Sequence, residues 1–232
     1  MTDGLDLGGD LGERLARVAS GVDDAVRAAG RRPDEVTTIV VTKFHPASVV
    51  RALHALGVRD VAENRHQEAQ AKSTETADLE GLRWHFVGQL QSKKARQARR
   101  YAAAVHSLDR DSVVDALAVD DGRVLDGFVQ VSLDGQEGRG GVPESDVERL
   151  VERLLAADGV RLRGVMAVAP LGEPARPAFA RLRGVSERVR SLAPEAVAIS
   201  AGMSHDYADA VVEGATHLRI GTAITGPRPE AG

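Results

Sequence analysis

The feature that most constrains the fold is a repeated alternation along the chain. Short runs rich in β-branched residues alternate with stretches rich in Ala, Arg and Glu that have helical spacing, and roughly eight such units follow one another. We place the strands at residues 36–43, 58–64, 82–88, 102–109, 125–133, 160–169, 196–202 and 217–223. Strands separated by helices pair in parallel, and eight repeats match a closed (β/α)8 TIM barrel. The predicted fold class is therefore α/β, with an open doubly wound sheet as the alternative.

An additional helix precedes the predicted barrel. It covers about residues 11–30 and ends at Gly30, which can serve as its C-cap. Its helical spacing is carried by the apolar residues Leu11, Leu15, Val18, Val22 and Val26. No linker is long enough to separate a second domain, and residues 134–143 have the composition of one loop between a strand and a helix. We therefore predict a single domain over residues 1–232, with the barrel at about 36–226.

Composition argues against several classes of function. The chain has 30 Lys+Arg and 34 Asp+Glu, so bulk charge does not favour binding to nucleic acid or to an anionic membrane. The absence of cysteine removes disulfides, thiolate metal sites and thiol nucleophiles, and it suits a reducing compartment. The histidines show no ligand spacing, so no metal is predicted. The acidic, glycine-rich start differs from a signal peptide and no long apolar run occurs, so we expect a cytoplasmic protein.

One basic cluster, "KKARQARR" at residues 93–100, has two interpretations. It could contact the phosphate of a nucleic acid or of a loosely held cofactor. The interpretation that we favour is the solvated face of a helix that follows the third strand, with Ala95 and Ala98 packing inward.

The first predicted strand ends at Lys43. In a (β/α)8 barrel the active site lies at the C-terminal ends of the strands. A lysine that is partly desolvated at this mouth is suited to attack a carbonyl carbon and form a Schiff base. The alternative is a lysine whose side chain simply extends from the strand end to solvent.

The last two predicted strands end in "ISAGMSHD" and "RIGTAITG". Phosphate groups in such barrels usually bind at the loops that follow these two strands. The two segments supply glycines for close approach and hydroxyl groups for hydrogen bonds, namely Gly202, Gly221, Gly226, Ser200, Ser204 and Thr222. They predict a phosphate site, although turn and capping chemistry would explain either segment alone.

Arg219 precedes Gly221 by two residues and therefore shares its face of the strand. A guanidinium that points into a barrel needs an anion, an acceptor or a carboxylate elsewhere in the barrel. Lysine, phosphate site and arginine together suggest pyridoxal 5′-phosphate. Because arginine only donates, a pyridine nitrogen facing it would stay unprotonated, and the ring would be a poor electron sink. This favours racemase-type two-base proton transfer or simple carriage of the cofactor.

At this point several segments resemble a known family. They are "VVTKFHP", "DVAENRHQEA", "WHFVGQLQSKKAR", "VHSLDR", "RGVMAV" and "ISAGMSHDYADAVVEGATHLRIGTAITG", and they run in family order from about residue 36 to residue 226. The chain resembles the pyridoxal phosphate homeostasis proteins, single-domain relatives of the N-terminal barrel of bacterial alanine racemases. The blocks "WHFVGQLQ" and "RIGTAITG" are the specific ones.

The resemblance implies a set of site residues. Lys43 would hold the cofactor as an internal aldimine, with the pyridine nitrogen facing Arg219. Asn64 and His85 match positions that line the cofactor pocket. Without the resemblance, we would interpret Asn64 as a turn residue and His85 as a hydrogen-bonded core histidine. The phosphate would be bound around Ser200, Gly202, Met203, Gly221 and Thr222. This chain departs from the common pattern at Ala201, Lys93 and Arg139 and in its short tail, "GPRPEAG".

The resemblance also implies a function in pyridoxal phosphate supply, with apo forms of pyridoxal phosphate-dependent enzymes as recipients, and a monomeric protein without an established catalytic residue. Alanine racemases use a tyrosine from a separate domain as the second proton-transfer group. Tyr101 and Tyr207 are predicted at a strand start and in a helix, away from that position. The alternatives are a pyridoxal phosphate-dependent amino-acid racemase and, without the resemblance, a lysine-dependent aldolase acting on a sugar phosphate.

Overall fold

The structure, a computed structural model, describes residues 9–135 and 140–228. Arg139 and the end of the tail lie outside the described residues. The described part contains nine β-strands. They are β1 (Thr37–Val41), β2 (Asp60–Glu63), β3 (Arg83–Phe86), β4 (Ala102–Leu108), β5 (Leu125–Ser132), β6 (Val142–Pro143), β7 (Val160–Met166), β8 (Ala198–Ser200) and β9 (His217–Ile220).

Eight of these strands close into a parallel barrel. β1 pairs with both β2 and β9, and β4 pairs with β5, so the ring runs β1-β2-β3-β4-β5-β7-β8-β9 and returns to β1. The two-residue β6 pairs with the end of β5 outside the ring. The predicted (β/α)8 barrel is confirmed, and the open doubly wound sheet is wrong.

Helices alternate with the barrel strands. They are α1 (Gly9–Ala28), α2 (Ala47–Ala55), α3 (His66–Glu75), α4 (Ser92–Tyr101), α5 (Asp111–Leu117), α6 (Val147–Leu155), α7 (Ala175–Leu192), α8 (Tyr207–Val212) and α9 (Thr222–Thr225), with 3-10 turns at Pro33–Glu35 and Glu144–Asp146. The predicted leading helix is confirmed as α1. It packs against α9, where Arg14 Nε donates to the carbonyl oxygen of Ile224 at 2.7 Å.

The helices follow the apolar spacing of the sequence. In α6 the residues at i, i+3, i+4 and i+7 are all buried against the barrel and α7, namely Val147, Leu150, Val151 and Leu154. The basic cluster lies on α4, as predicted, with Ala95 and Ala98 buried. Arg99 is an exception within the cluster, because its guanidinium is buried and donates to the carbonyl oxygens of Gly159 and Val119. No helix in the described ranges is long and apolar enough to cross a membrane.

The barrel interior combines apolar and polar side chains. Two apolar clusters fill part of it, one of Ile39, Val41 and Ala62 and the other of Ala104, Phe128, Met166 and Ala198. Barrels of this class are usually filled by branched apolar residues. Here an arginine and several histidines share the interior, and burying such groups costs free energy unless their hydrogen bonds are satisfied. These buried polar side chains are therefore candidates for the functional site.

Candidate functional site

Lys43 lies at the C-terminal mouth of the barrel. Strand β1 ends at Val41, so Lys43 is two residues beyond the strand, in a turn. The last residues of the strand before it, Ile39 and Val41, belong to an apolar cluster of the barrel interior. The residue is exposed, and its Nζ lies 5.8 Å from the ring centroid of Phe44. The side chain is exposed because the strand stops earlier than predicted, which places the lysine in the turn above the rim.

Phe44 has an unusual conformation beside this lysine. Its φ angle is 70°, in the left-handed region that a bulky residue rarely adopts, and such strain is found most often at functional sites. The Phe44 N–H donates to Glu68 Oε2 at 3.1 Å. The guanidinium groups of Arg65 and Arg228 lie 5.4 and 4.4 Å from the ring centroid. Three cations thus surround one aromatic ring at the mouth, an arrangement that favours an anionic ligand.

A buried ion pair anchors the backbone that leads to Lys43. The Nζ of Lys72 donates to Glu63 Oε1 at 2.5 Å and to the carbonyl oxygen of Thr42 at 2.9 Å. The hydroxyl of Thr42 donates to the same oxygen of Glu63 at 2.8 Å. Burial raises the pKa of Glu63, and Lys72 opposes that effect. Lys72 is thus committed to structure, whereas Lys43 forms no salt bridge within the described residues and remains accessible for chemistry.

Asn64 follows β2 directly and has an unsatisfied acceptor. Its Oδ1 is buried and has no hydrogen-bond partner. A buried acceptor without a partner costs about 1–3 kcal/mol, and a donor from a ligand or a water would remove that cost. Gly88 packs tightly on the same residue, since a Cβ at position 88 would lie 2.0 Å from the carbonyl oxygen of Asn64. The orphan oxygen therefore sits in a rigid place and is suited to accept from a ligand.

The ends of β8 and β9 meet as the sequence predicted. The N–H of Arg219 donates to the carbonyl oxygen of Gly202 at 2.9 Å, and the N–H of Ala223 donates to Ser204 Oγ at 3.4 Å. Gly202 has a φ angle of 91°, and a Cβ there would lie 2.7 Å from the Cβ of Ala210. The position therefore requires glycine.

The surface of these two loops is open, with one carboxylate among its groups. Met203 and Thr222 are exposed, and Gly221 lies beside Val41 of β1. The Oδ1 of Asp206 accepts the N–H of Met203 at 2.5 Å. The loop residues predicted for the phosphate, Gly202, Met203, Gly221 and Thr222, thus lie on two joined loops. Asp206 is a neighbouring anion that a bound phosphate would have to tolerate.

Arg219 is buried in the barrel, 5% exposed. Its Nη1 donates to Ser200 Oγ at 2.7 Å and its Nη2 donates to the carbonyl oxygen of Ala167 at 2.9 Å. Burial lowers the pKa of the guanidinium to about 10. The charge of Asp206 opposes this effect. No carboxylate among the described residues forms a salt bridge with it, so the interpretation of Arg219 as half of an interior salt bridge is wrong. A buried cation without a salt bridge is a place for an acceptor or an anion.

Ser200 and His85 lie deeper than their predicted roles suggest. The Ser200 side chain is fully buried between Arg219 and His106, whose Nδ1 is 2.8 Å from Ser200 Oγ. His85 is bonded to His106 and Asp60 inside the barrel. Both residues can therefore influence the mouth through Arg219. Their direct contact with a cofactor stays a prediction.

Sequence reasoning missed His106, Asp60 and the carbonyl group of Ala167. A signal was present for the histidine, since alternate residues of a barrel strand face inward and His106 has the parity of Ala104 in β4. Nothing in one sequence shows which side chains such a histidine meets, because its hydrogen bonds join residues of different strands.

Comparison with known proteins identifies relatives of the whole chain. The family model for the alanine racemase N-terminal domain matches residues 18–229. The pyridoxal phosphate homeostasis protein of Mycobacterium tuberculosis is 40% identical over 240 residues, which is 94% of this chain and 93% of the relative. The protein of the same name from Pseudomonas aeruginosa is 40% identical over 224 residues, 94% and 96% of the two chains.

Solved structures agree with the fold. The PipY protein of Synechococcus elongatus, in a structure described as having PLP bound, has a TM-score of 0.83 and 36% identity, covering 93% of this chain and 100% of that one. Alanine racemase from Corynebacterium glutamicum has a TM-score of 0.69 at 16% identity, covering 90% of this chain and 60% of that one, which shows likeness of fold alone.

Proposed function

The chain belongs to the alanine racemase N-terminal domain family and, within it, to the pyridoxal phosphate homeostasis proteins, and from that premise we propose that it binds pyridoxal 5′-phosphate as a lysine aldimine on Lys43. Its role is to hold the cofactor and supply it to apo enzymes that depend on it, without efficient turnover of its own. The bound group supplies an aldehyde, which condenses with an amine and releases one water.

The observation that carries the proposal is the alignment of Lys43 with Arg219. Ile39 of β1 is the register partner of Arg219 in β9, and Lys43 lies in the turn that follows β1, four residues further on. Four residues span at most about 13 Å when fully extended, a distance that a lysine side chain followed by one ring-sized molecule can bridge. Lys43 would thus provide the amine at the rim, and Arg219 would donate to a ring nitrogen below it.

Other residues at the mouth fit the remaining groups of this cofactor. Asn64 Oδ1 is a buried acceptor without a partner, suited to a hydroxyl donor. The joined loops after β8 and β9 offer Gly202, Gly221 and Thr222 for the phosphate. The side chains of Arg65 and Arg228 add positive charge at the rim. The residues present therefore fit pyridoxal phosphate, although the Ser200 hydroxyl is already used by Arg219 and His106.

The positions of the tyrosines support carriage over racemisation. Tyr101 ends α4 in the outer helical layer, where its hydroxyl is 3.2 Å from His66 Nδ1. Tyr207 begins α8, and its hydroxyl lies against Gly21 of α1. Two-base proton transfer needs a second group on the opposite face of the ring from the lysine. Neither tyrosine of the chain is placed to provide it.

The test is an absorbance spectrum of the protein loaded with pyridoxal phosphate, followed by borohydride reduction and peptide mapping. We expect a reducible chromophore fixed to Lys43 in the wild type and no adduct in Lys43→Ala. The matched control is Lys93→Ala, which removes an exposed lysine of α4 and should retain the adduct. A wild-type protein that cannot be loaded, or an adduct that maps to another lysine, would contradict the proposal.

The same samples separate a carrier from a racemase. Incubation of the loaded protein with either alanine enantiomer should leave the enantiomer ratio unchanged over many cofactor equivalents. Sustained conversion in the wild type, lost in Lys43→Ala, would instead establish the racemase alternative.

A further inference from the structure

Behind Arg219 a chain of hydrogen bonds crosses the barrel interior. It starts at Arg219 Nη1, which is 2.7 Å from Ser200 Oγ, and continues from Ser200 Oγ to His106 Nδ1 at 2.8 Å. His106 Nε2 is 2.9 Å from His85 Nδ1, and His85 Nε2 is 2.8 Å from Asp60 Oδ1. The five side chains come from five different strands, and all five residues are at most 8% exposed.

The hydrogen bonds from Arg219 to Asp60 all run in one direction from donor to acceptor. Arginine only donates, so Ser200 Oγ must accept from Arg219 and use its own hydrogen toward His106 Nδ1. His106 is then an acceptor at Nδ1 and a donor at Nε2, and it donates to His85 Nδ1. His85 donates from Nε2 to Asp60, and an ionised carboxylate can only accept. Every bond is satisfied with both histidines neutral, and reversing any one of them leaves a buried group unpaired.

The surroundings support the neutral state of His106. Its ring stacks on Phe128 with centroids 4.2 Å apart, and His217 lies 6.3 Å away. Burial lowers the pKa of His106 far below its ordinary value, and the positive charge of Arg219 lowers it further. At the far end Asp60 also accepts from Arg83 Nη2 at 2.6 Å, and the bonds from His85 and Arg83 outweigh burial and lower its pKa.

We propose that His106 is a positioning residue for Arg219: together with His85 and Asp60 it holds the Ser200 hydroxyl as an acceptor toward the guanidinium, and so aims the remaining N–H groups of Arg219 at the cofactor ring. This inference rests on the proposed function, since the ring is that of pyridoxal phosphate. It assigns roles to three buried residues, His106, His85 and Asp60, that act through Ser200 and Arg219.

The physical need for such a chain follows from the burial of Arg219. Without a salt bridge among the described residues, the guanidinium is held by two acceptors, Ser200 Oγ and the carbonyl oxygen of Ala167. A hydroxyl group rotates freely unless its hydrogen has an acceptor. His106 Nδ1 supplies that acceptor, and the carboxylate of Asp60 sets the direction from the other end.

The first test uses cofactor-free protein and long-range ¹H–¹⁵N NMR of the histidine rings at neutral pH. We expect His106 and His85 to be neutral, each protonated at Nε2 and not at Nδ1. A proton on Nδ1 of either ring, as a cation or as the other tautomer, would overturn the proposal. This measurement needs no variant and no bound cofactor.

The second test compares His106→Leu with His106→Gln in cofactor affinity and in the absorption spectrum of the bound cofactor. Leucine removes the acceptor, and we expect about tenfold weaker binding, consistent with one lost hydrogen bond near a charged group, together with a shifted absorption maximum. Glutamine offers an amide oxygen to Ser200 and an N–H to His85, and it should restore both values. The control, His54→Leu on α2, should behave as wild type.

The two failures are distinguishable. If the protein does not bind pyridoxal phosphate at Lys43, the proposed function fails while the tautomers of the cofactor-free protein still report on the chain. If binding at Lys43 is confirmed but His106→Leu folds and matches the wild type in affinity and spectrum, the positioning role of His106 is refuted. If His106→Leu does not fold, the ring tautomers and the rescue by glutamine still decide the question.

Discussion

Acid sensitivity of the fold offers a quantitative prediction through His217. This residue begins β9 in the barrel interior, with its ring edge toward Phe128 at a centroid distance of 5.2 Å. Burial lowers its pKa from 6.5 to about 4, and the neighbouring His85 and Arg163 contribute in the same direction. In the unfolded chain the ring regains its ordinary pKa.

The direction of the effect follows from proton binding. Below pH 6.5 the His217 ring is protonated in the unfolded chain, whereas in the folded chain it is protonated only when the pH falls to about 4. The free energy of unfolding therefore falls as the pH is lowered through this window, and it is unaffected by this residue above it. At pH 4.5 the two pKa values correspond to a loss of about 2.5 kcal/mol relative to neutral pH.

The variant His217→Phe keeps an aromatic ring against Phe128 and removes the titrating group. Urea unfolding can be followed by the fluorescence of Trp84, the single tryptophan, which is 5% exposed. Between pH 7 and pH 4.5 the variant should lose about 2.5 kcal/mol less stability than the wild type, whatever its stability at neutral pH. The control His205→Phe removes an exposed histidine and should retain the wild-type dependence. Equal acid losses in His217→Phe and wild type would refute the reasoning.

Three further predictions concern the neighbourhood of the mouth. Lys72→Met leaves Glu63 as an unpaired buried charge and should lower the free energy of urea unfolding by about 3–5 kcal/mol. Adding Glu63→Gln should recover part of this loss, and no recovery would argue against the ion pair. Gly202→Ala forces a Cβ against Ala210 at a φ angle of 91°, so it should lower the free energy of unfolding by more than about 1 kcal/mol, and a neutral result would contradict the local geometry. Phe44→Gly relieves the left-handed backbone strain but removes the ring among three cations. Cofactor affinity measured by titration should therefore fall, whereas thermal stability should change little. Unchanged affinity would exclude a role for the ring.

The fold was predictable because each strand and each helix of the barrel has a local sequence pattern. Eight β-branched runs separated by amphipathic helices leave few topologies open, and the strands formed at all eight predicted places. Strand ends were less predictable, and the earlier end of β1 is the reason that Lys43 is exposed. An end depends on where the last ladder hydrogen bond forms, which the neighbouring strands decide.

The sequence by itself determined the type of architecture, the strand that ends near Lys43 and the two glycine-containing loops after β8 and β9, because periodicity and turn residues are local properties. Only the tertiary structure decided that Arg219 has no carboxylate partner within the described residues, that Asn64 Oδ1 is left without a donor, and that His106 lies beneath Ser200. These facts depend on closing eight strands into a ring. Closure of the barrel brings together side chains that are far apart in the sequence, and no local sequence pattern predicts which of them come into contact.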